Sequence, residues 1–139
     1  MEATIKQVQG LTLTAKADSG HWIVMDGPEQ FGGSDAASKP LELFLIGLGG
    51  CTSMDILSIL QKKRVDLTDY ECTLLAERAK EHPKVFTHVT MKFVFYGKDI
   101  SKSAVERAIE LSKEKYCSAS AMLKESVPIK VEYEIKEPG

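Results

Sequence analysis

Two cysteines carry the chemistry this sequence can offer. Cys51 ends the stretch Pro40-Leu41-Glu42-Leu43-Phe44-Leu45-Ile46-Gly47-Leu48-Gly49-Gly50, and Cys117 follows an amphipathic segment far downstream. A thiol flanked by Gly-Gly and Thr-Ser inside an apolar run has little packing reason to be there. A thiol that must meet a small substrate needs backbone room and local donors. The pair therefore points to thiol redox chemistry, against the plain alternative that buried free cysteines serve as small core residues. The third cysteine, Cys72, alternates with strand residues in Glu71-Cys72-Thr73-Leu74 and reads as structural.

Composition narrows the function classes. The chain has 139 residues, 43% hydrophobic and 27% charged, which suits one globular domain spanning 1–139 with one modest core. The net charge is −2 and no basic run exceeds Lys62-Lys63-Arg64, so neither nucleic acid nor an anionic membrane is an expected partner. The N-terminal Met1-Glu2-Ala3-Thr4-Ile5-Lys6 lacks the apolar core of a signal peptide, and the run from Leu41 is broken by Glu42, glycines and Asp55. A soluble cytoplasmic protein is expected. Three cysteines without C-x-x-C spacing match neither a zinc ribbon nor a disulfide-stapled secreted scaffold, and no metal or other bound cofactor is expected. His82 and His88 form no convincing metal pair, and a site shared by the two cysteines and a histidine is disfavoured by non-local spacing.

The elements that must position these thiols alternate between sheet and helix. Thr4 to Gln9, Leu11 to Ala17 and His21 to Met25 are β-rich runs around turn signals and predict a meander. Gln30 to Lys39 reads as a loop, with Ser38 as N-cap of a helix from about Pro40 to Lys63. The first half of that helix is apolar on every side, which predicts a buried central helix, and Lys62-Lys63-Arg64 suit its C-terminus. Tyr70 to Arg78 and Val85 to Tyr96 predict paired long strands joined at Glu81-His82-Pro83, with Val85, Thr87, Val89, Met91, Phe93 and Phe95 on one face. Ser103-Ala104-Val105-Glu106 reads as a capping box opening a second helix to about Tyr116. A short helix capped by Ser118 follows to Lys124, and Ile129 to Lys136 alternates like a strand with one solvated face.

Those motifs together resemble the OsmC/Ohr family of hydroperoxide-resistance proteins over nearly the whole chain. The resemblance lies in Pro40-Leu41-Glu42 through Gly49-Gly50-Cys51-Thr52, the long paired strands, and Lys115-Tyr116-Cys117-Ser118 after the second helix. Cys51-Thr52-Ser53-Met54-Asp55, with Gln61-Lys62-Lys63-Arg64 and His82-Pro83, looks closest to the OsmC-like branch. The resemblance implies an α+β fold: an intertwined homodimer with antiparallel sheets wrapped around two long central helices. It also implies a thiol peroxidase for small organic hydroperoxides, regenerated by an external dithiol reductant. By position Cys51 matches the peroxidatic cysteine, Cys117 the resolving cysteine and Glu42 the active-site glutamate. The alternative from another class is a noncatalytic small-ligand-binding or redox-sensing module on the same fold.

These residues set the expectations for the site. A Cys51 thiolate would take the distal peroxide oxygen and become a sulfenic acid, which Cys117 would convert to a disulfide. An apolar wall of Leu43, Phe44, Leu45 and Ile46 would favour alkyl over hydrogen peroxide. Glu42 and Cys51 stand nine positions apart, so on one straight helix they lie about 180° around the axis and about 13 to 14 Å along it. Either the helix breaks at Gly49-Gly50, or Glu42 serves Cys51 of a second subunit, the arrangement favoured here. Glu42 also has a plain reading as a first-turn carboxylate complementing the helix dipole. The thiol-polarising arginine of the family has no counterpart before Arg64, leaving Lys39, Lys16 and His21 as upstream cations. Asp55, four residues after Cys51, would disfavour its thiolate.

Overall fold

A computed structural model describes residues 1–138. Its contacts divide the chain into two compact units, one ending at Leu45 and the other beginning at Ile46.

In the first unit, β1 (Ala3–Gln9), β2 (Thr12–Ala17) and β3 (Ile23–Met25) form the antiparallel meander that the turn signals predict. Gly10 and Gly20, both at positive φ, make its turns. The loop beyond β3 is organised by the buried carboxylate of Asp26. It accepts from the Thr12 hydroxyl at 2.9 Å and from the amides of Gly27, Ser34 and Ala36 at 2.7, 3.3 and 3.3 Å. A polar Gly/Ser/Ala-rich segment thus folds around one anion rather than around a core.

Helix α1 (Pro40–Lys62) starts at proline, whose fixed φ and missing N–H suit a first helical position. The residue before it is Lys39, not the expected cap Ser38, which pairs with Met25 in an isolated bridge. Glu42 Oε2 accepts from the Lys39 amide at 3.2 Å, the glutamate half of a capping box. The helix ends in a Schellman arrangement. Arg64 sits at φ 56°, the Val65 amide donates to Leu60 O at 3.0 Å, and the Arg64 amide to Gln61 O at 2.9 Å.

In the second unit, β4 (Asp69–Arg78), β5 (Phe86–Tyr96) and β6 (Ile129–Lys136) make a sheet with β5 in the middle. Strand β4 is antiparallel to β5, but β6 runs parallel to it, so this sheet is mixed rather than wholly antiparallel. The reason is the helical connection between them, since a parallel neighbour needs a long crossover. The central strand buries Val89, Met91, Phe93 and Phe95, the alternation legible in the sequence. Tyr70 stacks on this row, 5.4 Å from Phe95 and 6.3 Å from Phe93 between ring centroids.

From Ile46 onward, α1 buries Leu48, Gly49, Thr52, Ile56 and Leu60, a stripe at spacings of three and four. A Cβ on Gly49 would lie 2.4 Å from Leu74 Cδ1, so glycine permits a close approach of helix and β4. The opposite face is open. Ile46, Met54 and Leu57 are 60%, 74% and 36% exposed, so within one chain α1 is covered on one side only. By length and composition alone it would be long and apolar enough to cross a bilayer.

Helix α2 (Lys102–Leu111) is capped by Ser101, whose hydroxyl accepts from the Ala104 amide at 3.3 Å, two residues before the expected cap Ser103. The α-helix does not reach Tyr116. It widens at Leu111 into a π-helical turn, Ser112–Tyr116, and α3 (Ser118–Leu123) follows with Cys117, not Ser118, at its N-cap.

Candidate functional site

Three local devices bring the site residues together. On α1, Cys51 and Asp55 are one turn apart and share a face, with Thr52 beside them on the buried stripe. The π-helical turn buries Ser112 completely, and the Cys117 amide closes it by donating to Ser112 O at 2.8 Å. Cys117 then leaves the helical region (φ −73°, ψ 103°) and its sulfur accepts from the Ser120 amide at 3.4 Å. A thiol thus does what a serine or aspartate oxygen usually does at an N-cap.

The Cys51 sulfur, the Cys117 sulfur and a carboxylate oxygen of Asp55 all lie within 4.8 Å of one another. The Thr52 hydroxyl is 3.3 Å from Cys117 Sγ and donates to Leu48 O at 3.0 Å. The Ser112 hydroxyl approaches Asp55 Oδ2 at 3.2 Å, with Thr52 O at 3.5 Å. Cys117 is only 2% exposed, whereas Cys51 and Asp55 are half-buried, so the pair has a solvent side and a core side. A cavity of about 400 Å³ opens beside Asp55, lined also by Ile59, Lys62, Leu111 and Tyr116.

Electrostatics divides the two sulfurs. An amide hydrogen bond from Ala119 draws the Cys51 pKa down, but burial, the neighbouring Cys117 sulfur and the Asp55 carboxylate outweigh it and hold the thiol above its ordinary value. For Cys117, burial pushes upward, and hydrogen bonds from the Ser120 side chain, the Thr52 hydroxyl, the Ser120 amide and the Cys51 thiol outweigh it, leaving the pKa below ordinary. The hydrogen bonds around Cys117 thus favour its thiolate over that of Cys51. The expected disfavouring of the Cys51 thiolate by Asp55 is among the contributions.

Glu42 belongs to the first unit, where its carboxylate holds the Lys39 amide and pairs with Lys39 Nζ at 3.7 Å. Helix α1 continues unbroken through Gly49 and Gly50, which removes the alternative of a helix break. Among the upstream cations, Lys39 is also 3.6 Å from Asp35, Lys16 sits 4.9 Å over the Trp22 ring, and His21 is exposed. His88 faces Glu77 across the sheet at 3.7 Å and His82 is exposed, away from any cluster of metal-ligating groups among the described residues. Cys72 is half-buried on β4, and burial raises its pKa against hydrogen bonds from Ser53 and Tyr70, so it is a poor nucleophile.

A family model for OsmC-like proteins matches residues 32–132, most of the chain and both cysteines. The chain belongs to the OsmC-like family. This OsmC-like chain is 44% identical over 135 residues to Protein YhfA of Escherichia coli K12, covering 97% of its own length and 98% of that protein. It superimposes on a hypothetical protein of Aquifex aeolicus VF5 with a TM-score of 0.86 and 33% identity, over 99% of this chain and 97% of that one. An organic hydroperoxide resistance protein OsmC of Legionella pneumophila matches with a TM-score of 0.70 over 96% and 95% of the two chains. At 18% identity that likeness establishes the α+β fold alone.

Within this OsmC-like chain, sequence reasoning singled out the sulfurs but passed over the groups that hold them. Thr52 lies directly after Cys51, and its neighbours in the sequence give no sign that it reaches Cys117. Ser120 stands three residues after Cys117, the cap-to-N3 spacing, and would have been found had a thiol been accepted as a cap. Ser112 carried no signal, because nothing in the local pattern announces a π-helical turn.

Proposed function

We propose that this chain is a thiol peroxidase that reduces organic hydroperoxides to alcohols, with Cys51 as the peroxidatic and Cys117 as the resolving cysteine. The observation that carries this reading is the approach of the two sulfurs to within 4.8 Å in a site with one half-buried and one buried member. The greater exposure of Cys51 supports it as the sulfur that meets substrate, and the hydrogen bonds around Cys117 support it as the one that holds the charge. Cys51 passes its proton to the Cys117 thiolate as it attacks the distal peroxide oxygen. The O–O bond breaks, the alkoxide takes from solvent the proton released when Cys117 ionised and leaves as alcohol, and Cys51 becomes a sulfenic acid. Cys117 then attacks the Cys51 sulfur, its proton leaving with the hydroxyl as water. The sum is dithiol plus hydroperoxide to disulfide, alcohol and water, and an external dithiol resets the pair without any bound cofactor. The cytoplasm, where thiols are kept reduced, is the compartment that suits this cycle.

The apolar side chains of Ile59, Leu111 and Tyr116 beside Asp55 support an organic rather than an inorganic peroxide. The uncovered face of α1 at Ile46, Met54 and Leu57 supports a homodimer in which a second copy buries it. In that dimer Glu42 serves Cys51 of the partner subunit. A redox-sensing role is the second reading, supported by the same approach of a half-buried and a buried sulfur.

Consumption of cumene hydroperoxide with a dithiol reductant tests the proposal. Turnover that disappears in both Cys51→Ser and Cys117→Ser, with a Cys51–Cys117 disulfide after one equivalent of peroxide, is the expected result. With Cys117 gone, the first oxidation of Cys51 should slow by about 10²-fold or more, the usual worth of a positioned base. Disulfide formation without multiple turnover favours the sensor, and no disulfide at all sinks both.

A further inference from the structure

We infer that Cys51, Cys117 and Asp55 form a binding site for a thiophilic divalent metal ion, zinc above all, which competes with oxidation for the same two sulfurs. The three ligand atoms already lie within 4.8 Å of one another. A tetrahedral zinc ion with Zn–S bonds of about 2.3 Å needs its sulfurs about 3.8 Å apart, so closure of the two sulfurs asks for at most about 1 Å of side-chain movement. The half-buried Cys51 and Asp55 can supply it, while Cys117 stays fixed as a helix cap. Two thiolates and one carboxylate select zinc over magnesium or calcium, which want oxygen alone, and the solvent side leaves a fourth position for water.

The surroundings are those of a supported metal site. Each ligand has an outer partner: the Ser112 hydroxyl on Asp55 Oδ2, the Thr52 hydroxyl and Ser120 amide on Cys117, and the Ala119 amide on Cys51. Without a cation, the two sulfurs and the Asp55 carboxylate share this space. With zinc, both thiols give up their protons to solvent and the ion takes two thiolates and the carboxylate. A hydroperoxide that oxidises the pair to a disulfide is itself reduced to alcohol and water, removes both sulfur donors, and expels the ion. Bound zinc in turn shields Cys51. Sequence spacing hides this set because its members come from α1 and from the turn before α3.

The test is a zinc titration of the reduced full-length protein against a chromophoric chelator, with cobalt as spectroscopic probe. One zinc per chain is expected, and cobalt should give thiolate charge-transfer and tetrahedral d–d bands. Both signatures should be lost in Cys51→Ser and Cys117→Ser and kept in Cys72→Ser. Ser112→Ala, which frees the carboxylate without touching a ligand, should weaken zinc about 10- to 100-fold. On the wild-type protein, zinc should slow alkylation of Cys51 and a chelator should restore it, a readout that needs no variant to fold. Zinc bound equally well by Cys51→Ser, cobalt without a thiolate band, or unchanged alkylation overturns the inference. No peroxide enters these measurements, so their failure is separate from failure of the peroxidase proposal.

Discussion

The Thr52 hydroxyl lies 3.3 Å from the sulfur of Cys117, across 65 residues of sequence. It also reaches Leu48 O, and its one proton cannot serve both at full strength. When Cys117 is a thiol, the hydroxyl donates to Leu48 O and accepts the S–H. When Cys117 is a thiolate, the hydroxyl turns to it. Thr52→Val keeps the shape and removes this rotor. In a Cys72→Ser background, the first deprotonation of the Cys51–Cys117 pair, followed by thiolate ultraviolet absorbance, should move to higher pH. An unchanged titration would show that Ser120 and the α3 amides suffice.

Asp55 makes the opposite contribution at the other sulfur, since its charge raises the Cys51 pKa. Asp55→Asn removes that charge while keeping the size of the side chain. The pH midpoint for alkylation of Cys51 should fall, and the rate at neutral pH should rise. A midpoint that stays or climbs would mean that burial and Cys117 alone set the value.

Acid stability should depend on Asp26. Burial raises its pKa, but hydrogen bonds from Thr12, Gly27, Ala36 and Ser34 outweigh that and hold it below the ordinary carboxylate value. A depressed folded-state pKa stabilises the native state above the unfolded-state value, and that contribution is lost as pH falls through the folded value. Asp26→Asn should lower stability at neutral pH and flatten the loss of stability below about pH 4, the unfolded carboxylate range. Urea unfolding at several pH values checks both parts.

Arg64 occupies the left-handed position that ends α1, at φ 56°. An L residue there bears a steric cost that glycine does not, offset partly by the chain entropy glycine loses on folding. Arg64→Gly should stabilise the protein by about 0.5–1 kcal/mol, read as an upward shift of the denaturant midpoint with unchanged slope. A loss of stability would reveal work done by the arginine side chain.

Much of the fold was legible because its signals are local. The meander follows from turn residues at Gly10 and Gly20, and β5 from the alternation of Val89, Met91, Phe93 and Phe95. Element ends were less legible, since Ser38, Ser103 and Ser118 are all plausible caps by composition. Helix α1 starts at Pro40 and α3 at Ser118 as expected, but Lys39, Ser101 and Cys117, not those serines, precede the first helical residues. The parallel course of β6 and the π-helical turn at Ser112 depend on how distant elements pack, which no local pattern records.

Residue types and their order determined that this chain has two thiols suited to redox chemistry, a family resemblance around them, and the strands and helices that carry them. Only the tertiary structure decided that Cys117 caps a helix, that Thr52, Ser112 and Ser120 hold the cluster, and that the donors around Cys117 lower its pKa while half-buried Cys51 stays above the ordinary value. Periodicity acts between neighbours along one element. A thiol pKa depends on every donor and charge within a few ångströms, and packing alone brings those together.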